Sequence, residues 1–198
     1  MNSKIDNRGA VLGMWLFLYT EFILFGALFL LYGAYYYKYK QGFIAGGKEL
    51  ELIFGIMNTV ILLVSSFTVA CSIESMKRDM KKASMVLLGI TIFLGAVFLF
   101  NKYIEWSHKI EHGIYPGSEH LIGGPHGRLI FFGMYFTMTG LHAIHIIIGL
   151  AVFSICVYFS FSGRIRSDRI NFLENSGLYW HLVDIVWIFL FPLFYLIL

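Results

Sequence analysis

Charge is what this chain has least of: Asp, Glu, Lys and Arg make up 14% of its 198 residues, while 58% are hydrophobic and 18% aromatic. So little charge does not suit a water-soluble domain of this size. Cysteine is scarce as well. Cys71 and Cys156 both fall in apolar segments, form no metal-binding spacing and give no ground for a disulfide. The sequence has no Gly-rich phosphate loop, no paired cysteines for copper or iron, no CxxCH for covalent haem and no nucleophile set beside a base. These absences argue against an enzyme acting alone. The net charge of +3 comes from loop lysines and arginines, which in an apolar chain report topology and not nucleic-acid binding.

What fills the chain is apolar runs of about 20 residues, each long enough to cross a bilayer as a helix. They are continuous, not alternating, which excludes a small barrel. The expected fold is all-α: a polytopic membrane bundle of five transmembrane helices forming a single membrane domain, 1–198, with spans near 10–36, 52–73, 84–103, 129–158 and 176–198. The N-terminal MNSKIDNRGA leads straight into a full-length span without a cleavage site, so the first helix is expected to be retained. Lys4, Arg8, Lys77, Arg78, Lys81, Lys82, Arg164, Arg166 and Arg169 fall on one side, Lys38, Lys40, Lys48, Lys102, Lys109 and Arg128 on the other. That bias predicts an inside N-terminus and an outside C-terminus.

The first span carries one acidic residue, Glu21, about 17 Å along a helix that starts near residue 10, close to the middle of a ~30 Å hydrocarbon layer. An ionised, unpaired carboxylate is costly there. Glu21 must be protonated, paired across a helix interface or wetted, and its depth predicts a neutral carboxyl hydrogen-bonded across the bundle. Its candidate partners are His142 and His145 in GLHAIH and His181 and Asp184 in YWHLVDIVW. Each pair is spaced by three and so shares a helix face. Counting from the middle of the fourth run puts His142 near the depth of Glu21, with His181 and Asp184 in the inner leaflet. Three explanations of these histidines stay open: a structural hydrogen-bond network, axial haem ligation by His145 and His181, and proton handling with Glu21.

In the second span Gly55, Asn58, Thr59, Ser65 and Ser66 recur at helical spacing, a stripe suited to close packing with interhelical hydrogen bonds. Gly89, Gly95, Gly133, Thr137 and Gly140 extend the pattern to the third and fourth spans. Trp15, Trp106, Trp180 and the tyrosines at 35–37 and 39 are placed as interfacial aromatics. Lys102, at a span end, is expected to snorkel to the interface. Segment 41–47 reads as a flexible connection. The long connection 105–127 holds turns at Tyr115-Pro116-Gly117 and Gly123-Gly124-Pro125. There Glu105, His108, Glu111 and His112 have the spacing of metal ligands on a helical turn, against which stands a plain solvated surface.

Five blocks, MWLFLYTEFILFGALF, NTVILLVSSFTVA, LGAVFLFNKYIEW, FTMTGLHAIHIIIGL and NSGLYWHLVDIVWIFLFPLFYL, resemble in order subunit III of the haem-copper oxidases, the cytochrome c and quinol oxidase family. The chain looks like the five-helix bacterial form. It lacks the two N-terminal helices that, in longer members, bound a lipid-filled cleft, so that cleft is expected to be open or closed by another chain. The resemblance implies a non-catalytic subunit of the bacterial cytoplasmic membrane. It would pack directly on subunit I, alongside subunit II, and support proton uptake, oxygen access and turnover stability. It would hold no metal or haem of its own, the haems and copper lying in partner subunits, with room for bound phospholipid. Glu21 matches the family's buried carboxylate, and His142, His145, Glu105, His181 and Asp184 match further polar positions, carried over as a proton or structural network. The alternatives are the accessory membrane subunit of nitric oxide reductase, a His-ligated haem membrane anchor and a small transporter coupled through Glu21.

Overall fold

The computed structural model describes residues 2–165 and 170–196. Arg166 and Arg169, counted above for topology, lie outside the described residues. Among the described residues seven α-helices follow one another: α1 (Asn2–Lys38), α2 (Lys40–Lys48), α3 (Leu52–Lys77), α4 (Lys81–Glu111), α5 (Glu119–Ile122), α6 (His126–Phe161) and α7 (Asn171–Phe191). A short π-helical turn, Pro192–Leu196, closes the described chain. Five of these helices are long and apolar enough to cross a membrane: α1, α3, α4, α6, and α7 with its terminal turn.

α3 and α4 form an antiparallel hairpin joined through Asp79, whose φ of 60° makes the tight reversal. Its register is set by small polar side chains facing each other. Ser72 meets Ser84 at 2.9 Å, Thr68 meets Thr91 at 2.8 Å, and the Asn101 amide donates to Asn58 at 3.0 Å. In a lipid-facing bundle, apolar surface gives helices little reason to associate, so close packing and such bonds hold the pair. α7 is stapled onto the same helix by two indoles: Trp180 donates to the Ser65 hydroxyl and Trp187 to the Thr59 hydroxyl, each at 3.0 Å. Gly149 makes room for this, since a Cβ there would lie 2.6 Å from the Trp180 ring. α1 is attached at the edge. Phe25 and Tyr32 are buried, while Leu12, Trp15, Leu16, Tyr19, Phe22 and Ile23 face outward.

Several expectations are overturned here. Segment 41–47 is not a flexible connection but lies within α2, with Phe43, Gly46 and Gly47 buried. Gly42 seats the backbone of α2 on that of α6, where a Cβ would come within 2.6 Å of Gly127. Trp180 is a core residue with no exposed surface, not an interfacial one. On α6 the buried face runs through Tyr135, Met138, Thr139 and His142. Thr137 points outward, and Gly89 and Gly133 have no neighbour within 4 Å of a Cβ position, so these three do not extend the close-packed stripe.

α4 continues eight residues beyond the end of its apolar run because Lys102, Glu105 and Lys109, which read as surface groups, are buried in the bundle. At the other end of the chain, the π-turn begins at Pro192. Proline has no N–H for the α-helical ladder, and a widened turn absorbs the loss.

Candidate functional site

Glu21 is answered by α6. His145 Nε2 lies 2.9 Å from Glu21 Oε2, with the two side chains 9% and 15% exposed. The other ring nitrogen, Nδ1, lies 2.8 Å from the carbonyl oxygen of Leu141. A carbonyl only accepts, so Nδ1 carries its proton. One further proton then lies between Nε2 and the carboxyl, held by an imidazolium or by a carboxylic acid, and in either arrangement the pair is neutral overall. Phe25 covers the imidazole edge-on at 5.3 Å and the Tyr179 ring lies alongside. The Tyr179 hydroxyl donates to the His145 carbonyl at 3.0 Å.

His142, the candidate placed near the depth of Glu21, is not the partner. Three residues along a helix leave a rotation of about 60°. That turns His142 into the bundle, fully buried against Phe98 and Trp187, with neither ring nitrogen bonded among the described residues.

Lys102 does not snorkel. Its side chain is 3% exposed, and Nζ donates to Glu105 Oε2 at 3.0 Å, to the Tyr135 hydroxyl at 3.0 Å and to the Tyr195 hydroxyl at 3.1 Å. Both tyrosines in turn donate to Glu105 Oε1 at 2.6 Å. All three ammonium protons are used, and the rings of Tyr135 and Trp187 face the cation at 4.9 and 5.5 Å. The cluster joins α4, α6 and the terminal turn. The spacing of Lys102 and Glu105 by three was the available sign of it. The two tyrosines, 33 and 93 residues from Lys102, gave none.

With Glu105 turned inward, the acidic and histidine residues of the long connection do not converge. His112 Nδ1 bonds the backbone oxygen of His108 at 2.7 Å, while His108 lies 3.8 Å from Glu51. Among the described residues no three His, Cys, Asp or Glu side chains are grouped for a metal. A clamp unseen in the sequence ties α2 down: Arg128 donates from Nη2 to the Glu49 carboxylate at 2.9 Å, with Nε in ion-pair contact at 2.7 Å, and Lys109 donates to the Glu49 carbonyl.

α7 brings the remaining candidates against α3. His181 Nδ1 lies 2.7 Å from the Ser66 hydroxyl. Asp184 is 4% exposed, and neither carboxyl oxygen accepts a hydrogen bond among the described residues. Asn58, Thr59, Ser65 and Ser66 thus each meet a different polar side chain of α4 or α7.

A family model described as "Cytochrome c oxidase subunit III" matches residues 2–197. Similar curated proteins include the cytochrome bo(3) ubiquinol oxidase subunit 3 of Pseudomonas aeruginosa, 31% identical over 96% of this chain and 87% of that protein. The probable quinol oxidase subunit 3 of Staphylococcus epidermidis is 34% identical over 94% and 88%, and the cytochrome c oxidase subunit 3 of Bacillus sp. strain PS3 31% over 98% and 89%. Matched along nearly its whole length, this multi-pass membrane chain belongs to the cytochrome c oxidase subunit III family.

Proposed function

We propose that the chain is the non-catalytic subunit III of a respiratory haem-copper terminal oxidase in a bacterial cytoplasmic membrane, a single membrane domain with its N-terminus inside and its C-terminus outside. In this reading it packs directly on the subunit that holds the haems and copper, beside subunit II. There it supports proton uptake, oxygen access and the endurance of the catalytic centre through repeated turnovers. Oxygen reduction to water belongs to the assembly, with cytochrome c or a quinol as donor. Of the three relatives named above, two are quinol oxidase subunits and one is a cytochrome c oxidase subunit, so either donor fits this reading.

The observation that carries this reading is the Glu21–His145 pair. It sits on the seam between the lightly held α1 and the bundle, in apolar surroundings, and shares one proton while staying neutral as a unit. A group of that kind suits proton handling without the cost of a bare charge in the membrane. The orientation is supported by the basic-residue bias, which sharpens once the buried Lys102 is taken out of the outer count. Haem ligation by His145 and His181 finds no support. Both nitrogens of His145 are engaged, and Nδ1 of His181 is held by Ser66.

The test is complementation of a strain lacking this chain with Glu21→Ala. Membranes are expected to keep their full haem content and initial oxygen consumption, while activity decays faster over sustained turnover. Loss of haem with the assembly intact, or sustained turnover equal to that of the native chain, would refute the proposed role.

A further inference from the structure

A cleft of about 480 Å³ opens between α3, α7 and the start of α1, at the end of the bundle where α3 ends and α7 begins. Its walls combine apolar residues with Glu74, Lys77, Glu174, Asn175 and His181. Lys77 and Glu174 pair at 2.8 Å while remaining 49% and 36% exposed, so the mouth is wet and charged. The two helices run antiparallel, and the polar side chains climb them in step. Glu174 on α7 faces Lys77 on α3, and about two turns deeper along α7 His181, on the cleft wall, bonds Ser66 at 2.7 Å. Another turn on is Asp184, about 15 Å along the axis from Glu174. The Ser66 hydroxyl that bonds His181 also lies beside this carboxyl, and neither Asp184 oxygen has a protein partner of hydrogen-bond geometry among the described residues.

A carboxyl that is 4% exposed and accepts no hydrogen bond is costly, and buried polar groups in folded proteins find protein or water partners. Buried water needs two to four polar contacts. The two Asp184 oxygens and the Ser66 hydroxyl beside them provide that number. We propose that the α3/α7 cleft is the mouth of a water-filled inlet, walled by His181 and Ser66, that ends at Asp184 and delivers water and exchangeable protons to it from one face of the membrane. The inlet goes beyond the role proposed above. It is separate from the Glu21–His145 pair, and its test does not read oxidase turnover.

The test uses thiol access in the chain's own membrane assembly, kept in sealed vesicles. Asp184→Cys is introduced with Cys71→Ser and Cys156→Ser, and a small membrane-impermeant cationic methanethiosulfonate is applied from each side. Thiol reactivity follows access and thiolate character, so the introduced thiol should react at least about tenfold faster than Cys156 in an otherwise cysteine-free chain. It should do so from one side only. Ala70→Trp, at an exposed position on the cleft wall, should slow the reaction by a similar factor. A rate no greater than that of Cys156, equal rates from both sides, or no effect of Ala70→Trp would overturn the proposal. Should Asp184→Cys prevent assembly, Ser66→Cys reports the same inlet nearer its mouth under the same criteria.

Discussion

Lys102→Met tests the least expected feature of the bundle. In the native chain the ammonium has three acceptors and Glu105 accepts from one cation and two tyrosines, so nothing in the cluster lacks a partner. Methionine fills the volume but leaves the carboxylate buried beside two hydroxyls without a cation. Breaking a buried pair from one side costs about 3–5 kcal/mol. For a chain of this size each kcal/mol moves the melting temperature by about 2–4 °C, so a fall of about 6–20 °C is expected.

The assay is the apparent melting temperature of the purified assembly, followed by release of this chain at a fixed scan rate. The double variant Lys102→Met with Glu105→Gln separates a lost pair from lost packing. The Gln carbonyl still accepts from the tyrosines and no charge is stranded, so the double variant should recover most of the loss. Single-variant costs below about 1 kcal/mol would mean an exposed ammonium, and additive costs would mean two independent residues. Either result would refute the reasoning.

Three further outcomes are expected. Gly42→Val forces a side chain into the Gly127 backbone, 2.6 Å from its Cβ, and should detach α2, seen as new protease cleavage between Lys38 and Glu49. Trp180→Phe loses the bond to Ser65, about 0.5–1.5 kcal/mol, together with part of the packing of the larger indole ring, and should still cost less than Trp180→Ala, which opens the full cavity and should cost about 3–5 kcal/mol by the same melting assay. Glu49→Gln weakens the ion pair with Arg128, and the resulting loss of stability should shrink at high salt, because the pair is partly open to solvent at 19% and 31% exposure.

The five crossings were legible because a hydrocarbon layer demands unbroken apolar runs, and no other solvent explains them. The importance of Glu21 was legible for the same reason, a lone acid in such a run being costly. Which of its four candidate partners answers it was not. Depth counting along α6 cannot resolve the rotation that turns His145 to the rim and His142 to the centre. The hydroxylic face of α3 could be read from spacing, but its tryptophan donors on α7 could not, since a tryptophan near a span end reads as interfacial. Lys102 misled because a lysine at the end of an apolar run has an easy route to water. Only the convergence of Glu105, Tyr135 and Tyr195 from three segments reverses that preference. α2 was missed because a glycine-rich stretch has poor intrinsic helicity. It is held by backbone contact with α6 and by Glu49–Arg128, neither of which is local.

The central claim, an accessory subunit whose redox chemistry belongs to its partners, is tested most directly by purifying the tagged chain in mild detergent and recording a reduced-minus-oxidised spectrum before and after a harsher detergent strips its partners. The account predicts a haem signal that leaves with a large co-purifying subunit, so that the 22.7 kDa chain is left colourless. Haem that stays with the isolated chain would contradict it.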